Sequence, residues 1–107
     1  MARSGVVMFY VYVIQSHKDP DRFYVGYSAD LKRRLNEHDL GTNHSTRGTQ
    51  WRLVYYEAYA TRDAAIRRER VLKGDGRTRR HLMERIRAML ESEAQEPFNG
   101  GERQTGE

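Results

Sequence analysis

Residues 9–27 read FYVYVIQSHKDPDRFYVGY, and this stretch decides the fold. Residues 9–14 and residues 23–27 are two short runs rich in aromatic and β-branched side chains, which β-strands favour. The segment between the runs is polar and contains Asp19-Pro20-Asp21, a combination that is typical of a turn. The stretch therefore predicts a β-hairpin.

Downstream of the hairpin, helical and strand patterns alternate. The predicted elements are a helix over residues 29–39, a loop over 40–50, a third strand over 51–58, a helix over 62–73 and an amphipathic helix over 77–90. Ser28 and Thr61 are suited to cap the first two helices, and the glycines of residues 74–76 are suited to end the second. We expect an α/β protein of the α+β type, with a three-stranded antiparallel sheet flanked by about three helices.

A chain of 107 residues forms one domain. We expect a flexible leader over residues 1–8, a folded domain over 9–91 and a disordered acidic tail over 92–107, where almost nothing apolar is present. The longest apolar run, residues 6–14, is far shorter than the ~20 residues of a membrane helix. The chain has no cysteine, which excludes disulfides, thiolate zinc sites and a cysteine nucleophile. These features are consistent with a cytoplasmic protein that binds no membrane.

The charge is unevenly distributed along the chain. Residues 62–90 hold 10 basic and 4 acidic side chains, whereas residues 91–107 hold 1 and 5. Of the 19 basic residues 16 are arginine, whose planar guanidinium suits phosphate. The pattern indicates a phosphate-rich partner such as nucleic acid, although arginines on a helix surface are also compatible with simple solvation.

Two predicted helices carry ionisable residues on their apolar faces. Helical phase places Arg34 and His38 with the leucines of the first helix, whereas Arg33 points away. In the second helix Glu69 falls inside the apolar stripe, whereas the arginines beside it point outward. An inward carboxylate is either a structural ion-pair partner, for example of Arg34, or a ligand for Mg²⁺, which binds few carboxylates and keeps several waters.

The spacing of five residues resembles that of the GIY-YIG nuclease family. Tyr10-Val11-Tyr12 and Tyr24-Val25-Gly26 match its two name-giving motifs on adjacent strands, although Tyr10 stands where the name has glycine. Arg34 lies eight residues after Gly26, His38 lies four residues further, and Glu69 occurs on a later helix, all as in the family. The likeness covers about residues 9–86. The chain is similar to the small single-domain members and to the N-terminal GIY-YIG domain found in excinuclease ABC.

The resemblance implies an endonuclease that hydrolyses phosphodiester bonds with Mg²⁺ or Mn²⁺ as its cofactor. Glu69 is then the metal ligand, Arg34 neutralises charge on the phosphoryl oxygens, and His38 assists a phenol or the phosphate. Tyr12 and Tyr24 are both candidates for orienting or deprotonating the attacking water. The predicted substrate-binding residues are Gly26, Thr46, Arg47, Arg77 and Arg80.

The expected partner is nucleic acid, with DNA favoured over RNA and no obligate protein partner. Because no second DNA-reading domain is visible in the sequence, we expect selectivity for substrate structure and not for sequence. Two other classes of function remain open at this point. One is a nucleic-acid-binding module that does not cleave, and the other is a protein-interaction domain whose arginines bind an acidic partner.

Overall fold

The computed structural model of the protein describes residues 7–39 and 50–95, of which residues 38, 39, 94 and 95 are described by their backbone alone. The elements in chain order are β1 (Phe9–Ser16), β2 (Phe23–Ser28), α1 (Leu31–Asp39), β3 (Trp51–Tyr59), α2 (Arg62–Gly74) and α3 (Gly76–Gln95). The strands form a three-stranded sheet in the order β2-β1-β3. The predicted fold class and hairpin are thus confirmed.

The central strand β1 is antiparallel to both of its neighbours. Tyr12 in β1 lies opposite Gly26 in β2 and opposite Tyr56 in β3. A register shift between Val13 and Ile14 places one extra residue in β3. Because side chains alternate along a strand, Tyr12, Gly26 and Tyr56 belong to the same face of the sheet.

Each face of the sheet is covered by helices and has its own apolar core. On one face, Val11, Val13 and Val25 pack with buried residues of α2 and α3, such as Leu72 and Ile86. On the other face, Tyr12, Ile14 and Trp51 pack with two leucines of α1, Leu31 and Leu35. The sheet therefore lies between α1 on one side and the α2–α3 pair on the other.

Helix α1 begins two residues later than the sequence predicts. Ser28 was expected to be its cap, but Ser28 is the last residue of β2 and hydrogen bonds the backbone of Asp30. Asp30 is the actual cap, because its Oδ1 accepts a hydrogen bond of 3.1 Å from the Arg33 amide. The expected cap of α2 is confirmed, since Thr61 Oγ1 accepts from the Ala64 amide at 3.2 Å.

Asp75 forms the corner between α2 and α3. Its amide donates to the Val71 carbonyl at 2.8 Å, and its Oδ1 accepts from the amides of Arg77 and Thr78. The predicted end of α2 is therefore correct, but an extended aspartate and not a glycine provides the cap. Helix α3 continues to Gln95, so the first four residues of the predicted tail are helical. Among the described residues, no helix is both long and apolar enough to span a membrane.

Candidate active site

Gly26 lies directly beneath the ring of Tyr12. A Cβ atom at Gly26 would overlap the Tyr12 hydroxyl and would lie 2.9 Å from its Cε1. The sequence suggested that the missing side chain lets a ligand approach closely. In the structure the space is filled by the phenol of Tyr12, so glycine at this position is explained by packing.

Tyr12 is completely buried, and its hydroxyl is close to ionisable groups from three other elements. Burial raises the pKa of Tyr12 far above its ordinary value, and the charge and hydrogen bonding of Arg34 only partly oppose this effect. Tyr24 and Glu69 are also near enough to raise the pKa of Tyr12 further. The structure thus brings together four of the predicted site residues, from β1, β2, α1 and α2.

Arg34 is held at the edge of this cluster by α1. Its side chain is 30% exposed, compared with 59% for the neighbouring Arg33, as helical phase predicted. Arg34 Nε lies 3.1 Å from Glu37 Oε1. The geometry falls short of a hydrogen bond, and this buried Nε has no hydrogen-bond partner among the described residues. Glu37 therefore screens the charge of Arg34.

Glu69 faces the cluster from α2, with its side chain 21% exposed. Its carboxylate pairs with Lys73 Nζ at 3.2 Å, one turn along the same helix. The Lys73 ammonium also lies 5.3 Å from the centre of the Tyr24 ring, within the range of a cation–π interaction. The observed ion-pair partner of Glu69 is thus Lys73 and not Arg34.

Lys73 lies in this cluster, and the sequence reasoning missed it. In the sequence it is only the last residue of a predicted helix. The four-residue spacing from Glu69 was a usable signal, because residues four apart on a helix are neighbours. Its contact with Tyr24 was not visible in the sequence, because the contact depends on how α2 packs against β2.

The remaining predicted site residues lie outside this cluster or outside the described part of the chain. The backbone of His38 belongs to α1, but its side chain is not described, and Thr46 and Arg47 lie outside the described residues. Arg77 and Arg80 are exposed on α3, the helix that packs on the opposite face of the sheet from Tyr12. Their predicted role in gripping phosphates away from the cleaved bond remains a prediction.

A second polar network occurs on the α2–α3 side of the sheet. The carboxylate of Glu57 accepts two hydrogen bonds of 2.9 Å from Arg68, and others from the hydroxyls of Tyr55 and Tyr59. Burial favours the neutral acid, but these hydrogen bonds outweigh it and lower the pKa of Glu57. Burial and the bond to Glu57 raise the pKa of Tyr59 to about 12. The network links β3 to α2.

The described residues limit the kind of metal ion that the cluster could bind. No three His, Cys, Asp or Glu side chains in residues 7–39 and 50–95 are grouped closely enough to hold an ion. Glu69 offers a single carboxylate that already attracts a cation, the Lys73 ammonium. This donor set fits Mg²⁺ or Mn²⁺ bound by one carboxylate, waters and substrate oxygens, and it does not fit a closed zinc site.

The structure places the two motif tyrosines on adjacent strands of a three-stranded sheet. An inward arginine and a glutamate on a helix lie close to them. This arrangement agrees with the class indicated by the sequence, the GIY-YIG catalytic domain. The model of that domain family matches residues 8–88 of the chain. A UPF0213 protein of Haloquadratum walsbyi is 37% identical over 76 residues, covering 69% of this chain and 83% of that protein. A UPF0213 protein of Streptococcus agalactiae is 33% identical over 66 residues, covering 60% and 73%. The solution structure of a UPF0213 protein from Bacillus halodurans has a TM-score of 0.45 and 30% identity, covering 72% of this chain and 83% of that one.

The chain therefore belongs to the GIY-YIG family, and the recognition made from the sequence is confirmed. GIY-YIG domains are nuclease domains, and such nucleases generally use a divalent metal ion.

Proposed function

We propose that this protein is a divalent-metal-dependent endonuclease that hydrolyses phosphodiester bonds of nucleic acid. We further propose that it selects its substrate by structure and not by sequence, and that it acts on DNA in preference to RNA. The observation that carries the proposal is the meeting of Tyr24, Arg34 and Glu69 around the hydroxyl of Tyr12.

Arg34 is suited to bind the phosphate that is cleaved. Its half-buried position keeps the guanidinium out of bulk water, where its charge would be screened. Its buried Nε forms an ion pair with Glu37 but no hydrogen bond within the described part of the chain, so the guanidinium keeps hydrogen-bonding capacity for a phosphoryl oxygen. A donor held in place before the reaction stabilises the charge that develops in the transition state.

The two tyrosines are suited to orient the attacking water. Tyr12 is buried and its pKa is raised, so it enters the reaction as a neutral phenol that can hold a hydrogen bond. Tyr24 is only partly buried and lies beside the Lys73 ammonium. Both tyrosines remain candidates for orienting the attacking water.

Glu69 is the residue that would hold the metal ion, as the sequence predicted. A metal ion bound there supplies Lewis-acid stabilisation of the phosphate and of the leaving oxygen. Lys73 pairs with the same carboxylate at 3.2 Å, so its ammonium would compete with a bound ion for Glu69.

One observation favours a second function, that of a nucleic-acid-binding module without cleavage. The ion pair between Glu69 and Lys73 satisfies the carboxylate without any metal ion. If the pair is purely structural, the fold and the basic surface suffice for binding. The decisive variant is therefore one that removes the charge of Glu69 and keeps its shape.

We expect Glu69→Gln to abolish metal-dependent cleavage and to leave nucleic-acid binding nearly unchanged. The amide is too weak a ligand to hold a divalent cation. The measurement is a cleavage screen over single-stranded, duplex, flap and junction substrates with Mg²⁺ and with Mn²⁺, accompanied by thermal unfolding. Glu91→Gln, a change of the same kind at an exposed position of α3, is the control and should cleave like the wild type.

Two outcomes would contradict this assignment. Cleavage by Glu69→Gln at the wild-type rate would show that the carboxylate holds no essential metal ion. Loss of the folded state in Glu69→Gln, combined with no cleavage by the wild type on any substrate, would favour the binding module.

A further inference from the structure

An open groove lies beside the candidate active site, between α1 and the edge strand β3. Its volume is about 470 Å³, and its lining includes Tyr10, Tyr56, Leu31 and Leu35. This volume is in the range of small-molecule sites, ~300–1,000 Å³. The groove is thus large enough for a planar ring system and is mostly apolar.

Tyr56 presents an exposed aromatic ring to this groove. The residue is 53% exposed, although large apolar side chains on the same sheet face, such as Tyr12 and Ile14, are completely buried. Tyr10 contacts the ring of Tyr56 edge-on, with 5.9 Å between the ring centres and 65° between the planes. The contact fixes the orientation of Tyr56 while much of its ring stays open to solvent.

The groove lies on the same sheet face as Tyr12 but towards β3, whereas the ring of Tyr12 lies over Gly26 in β2. Tyr56 lies directly opposite Tyr12 on the neighbouring strand, and both side chains belong to the same sheet face. Side chains of directly opposed residues are close neighbours, with Cβ atoms about 5 Å apart. Tyr56 is therefore a neighbour of the cluster across one strand, although Tyr12, Tyr24, Arg34 and Glu69 do not line the groove.

The charges at the groove suit a nucleotide. Lys32 lines the groove and is exposed, so its ammonium is available to a phosphate. Asp30, the acidic residue of the lining, is already engaged as the cap of α1 and lies 3.7 Å from the Arg33 guanidinium. The groove thus combines a stacking ring, apolar walls and an exposed cation.

We propose that this groove binds an unpaired nucleobase of the substrate strand, stacked on Tyr56. The proposal rests on the proposed function and specifies its substrate: a strand with unpaired nucleotides, single-stranded or at a flap, and not a continuous duplex. Bases of a duplex are stacked on each other and cannot enter the groove. An aromatic side chain stacks on any base, so the site has little sequence preference.

The test measures binding of the full chain to a single strand carrying 2-aminopurine, in a buffer with EDTA so that no cleavage occurs. The variants are Tyr56→Leu, which removes the ring, and Tyr56→Phe, which keeps it. Met89→Ala is the control, because Met89 is a large apolar residue of α3 with a similar exposure of 49%. Affinity and 2-aminopurine quenching are measured for the strand in DNA and in RNA, and for the corresponding duplex.

We expect Tyr56→Leu to bind single strands about tenfold more weakly, with loss of the 2-aminopurine quenching. Tyr56→Phe and Met89→Ala should keep the wild-type affinity and quenching, and duplex affinity should change little in every variant. Stacking of DNA but not RNA, or of RNA but not DNA, supports the proposal and identifies the sugar that the groove accepts.

Three outcomes would overturn the proposal. Tyr56→Leu could bind single strands with unchanged affinity, or it could lose affinity equally for single strands and for duplex. The wild type could also prove to be a dimer that Tyr56→Leu converts to monomers. The last outcome would assign the groove to a second copy of the chain. Because binding is measured without metal, the result is independent of whether Glu69→Gln abolishes cleavage.

Discussion

Arg33 and Arg34 are neighbours in α1, but their side chains enter different surroundings. Arg33 is 59% exposed and pairs with Glu37 on the helix surface, whereas Arg34 is half-buried beside Tyr12. The two residues carry the same charge and belong to the same helix. A comparison between them therefore separates a charge held at the reacting phosphate from a charge on the surface.

We expect Arg34→Ala to slow cleavage by about a hundredfold or more, the scale for the loss of one preorganised charge contact in a transition state. Arg33→Ala should leave the rate nearly unchanged and weaken binding by a few-fold at most, because a surface charge contributes one phosphate contact. Single-turnover rates at saturating protein measure chemistry separately from binding. Equal effects of the two substitutions would mean that both arginines act as surface charge, and the binding module would then be favoured.

The inward positions of Arg34 and Glu69 could be predicted from the sequence, because helical phase alone fixes which face a residue occupies. The pairing of Arg34 with Glu37 and of Glu69 with Lys73 could not. Each pairing depends on the conformations of long side chains and on the packing of a helix against the sheet. Sequence reasoning therefore located the candidate site residues better than the side chains that pair with them.

At the scale of elements, the β-hairpin and the order of helices could be predicted because strands and helices have different periods of hydrophobicity. The start of α1 could not, because Ser28 and Asp30 are both good caps. Only the pairing of Ser28 with Tyr10 in the sheet extends β2 far enough to leave Asp30 as the cap. Tertiary structure decides between two local signals of similar strength.

The link between β3 and α2 through Glu57 is expected to depend on pH. The pKa of Glu57 is lower in the folded protein than in an unfolded chain. The carboxylate therefore stabilises the fold at pH values above its unfolded pKa, and this contribution is lost as the pH falls through the folded pKa. Protonation of Glu57 removes the charge that pairs with Arg68 and turns one of its two acceptor oxygens into a donor.

We expect Glu57→Gln to lower the free energy of unfolding at pH 7 by about 1–3 kcal/mol, the range for an unmatched partner in a partly buried charged hydrogen-bond network. The difference from the wild type should shrink as the pH is lowered into the acidic range. Urea unfolding between pH 7 and pH 3 measures it. Glu84→Gln, at an exposed position of α3, should have little effect. A difference between Glu57→Gln and the wild type that stays constant with pH would contradict the assigned role of the carboxylate.

At the scale of the whole molecule, positive charge is concentrated in α2 and α3 and negative charge towards the end of the sequence. The formal net charge is +4, but residues 62–90 alone contribute +6 from 10 basic and 4 acidic side chains. The exposed arginines of these helices include Arg67, Arg70, Arg77 and Arg80. Binding to nucleic acid is therefore expected to be mainly electrostatic and to weaken steeply with salt.

The acidic end of the chain should compete with phosphate for this basic surface. Neutralisation of about four to six phosphates gives a slope of roughly −4 to −5 for log K against log salt on duplex DNA. Deletion of residues 96–107 leaves α3 complete and removes 3 glutamates and 1 arginine. We expect this deletion to tighten binding by about two- to fivefold at low salt, with a smaller gain at high salt because the competition is screened. Replacement of Glu96, Glu102 and Glu107 by glutamine in the full chain should have a similar effect, since charge and not length is responsible. Affinity that is independent of salt, or weaker binding after the deletion, would contradict an electrostatic interface on α2 and α3.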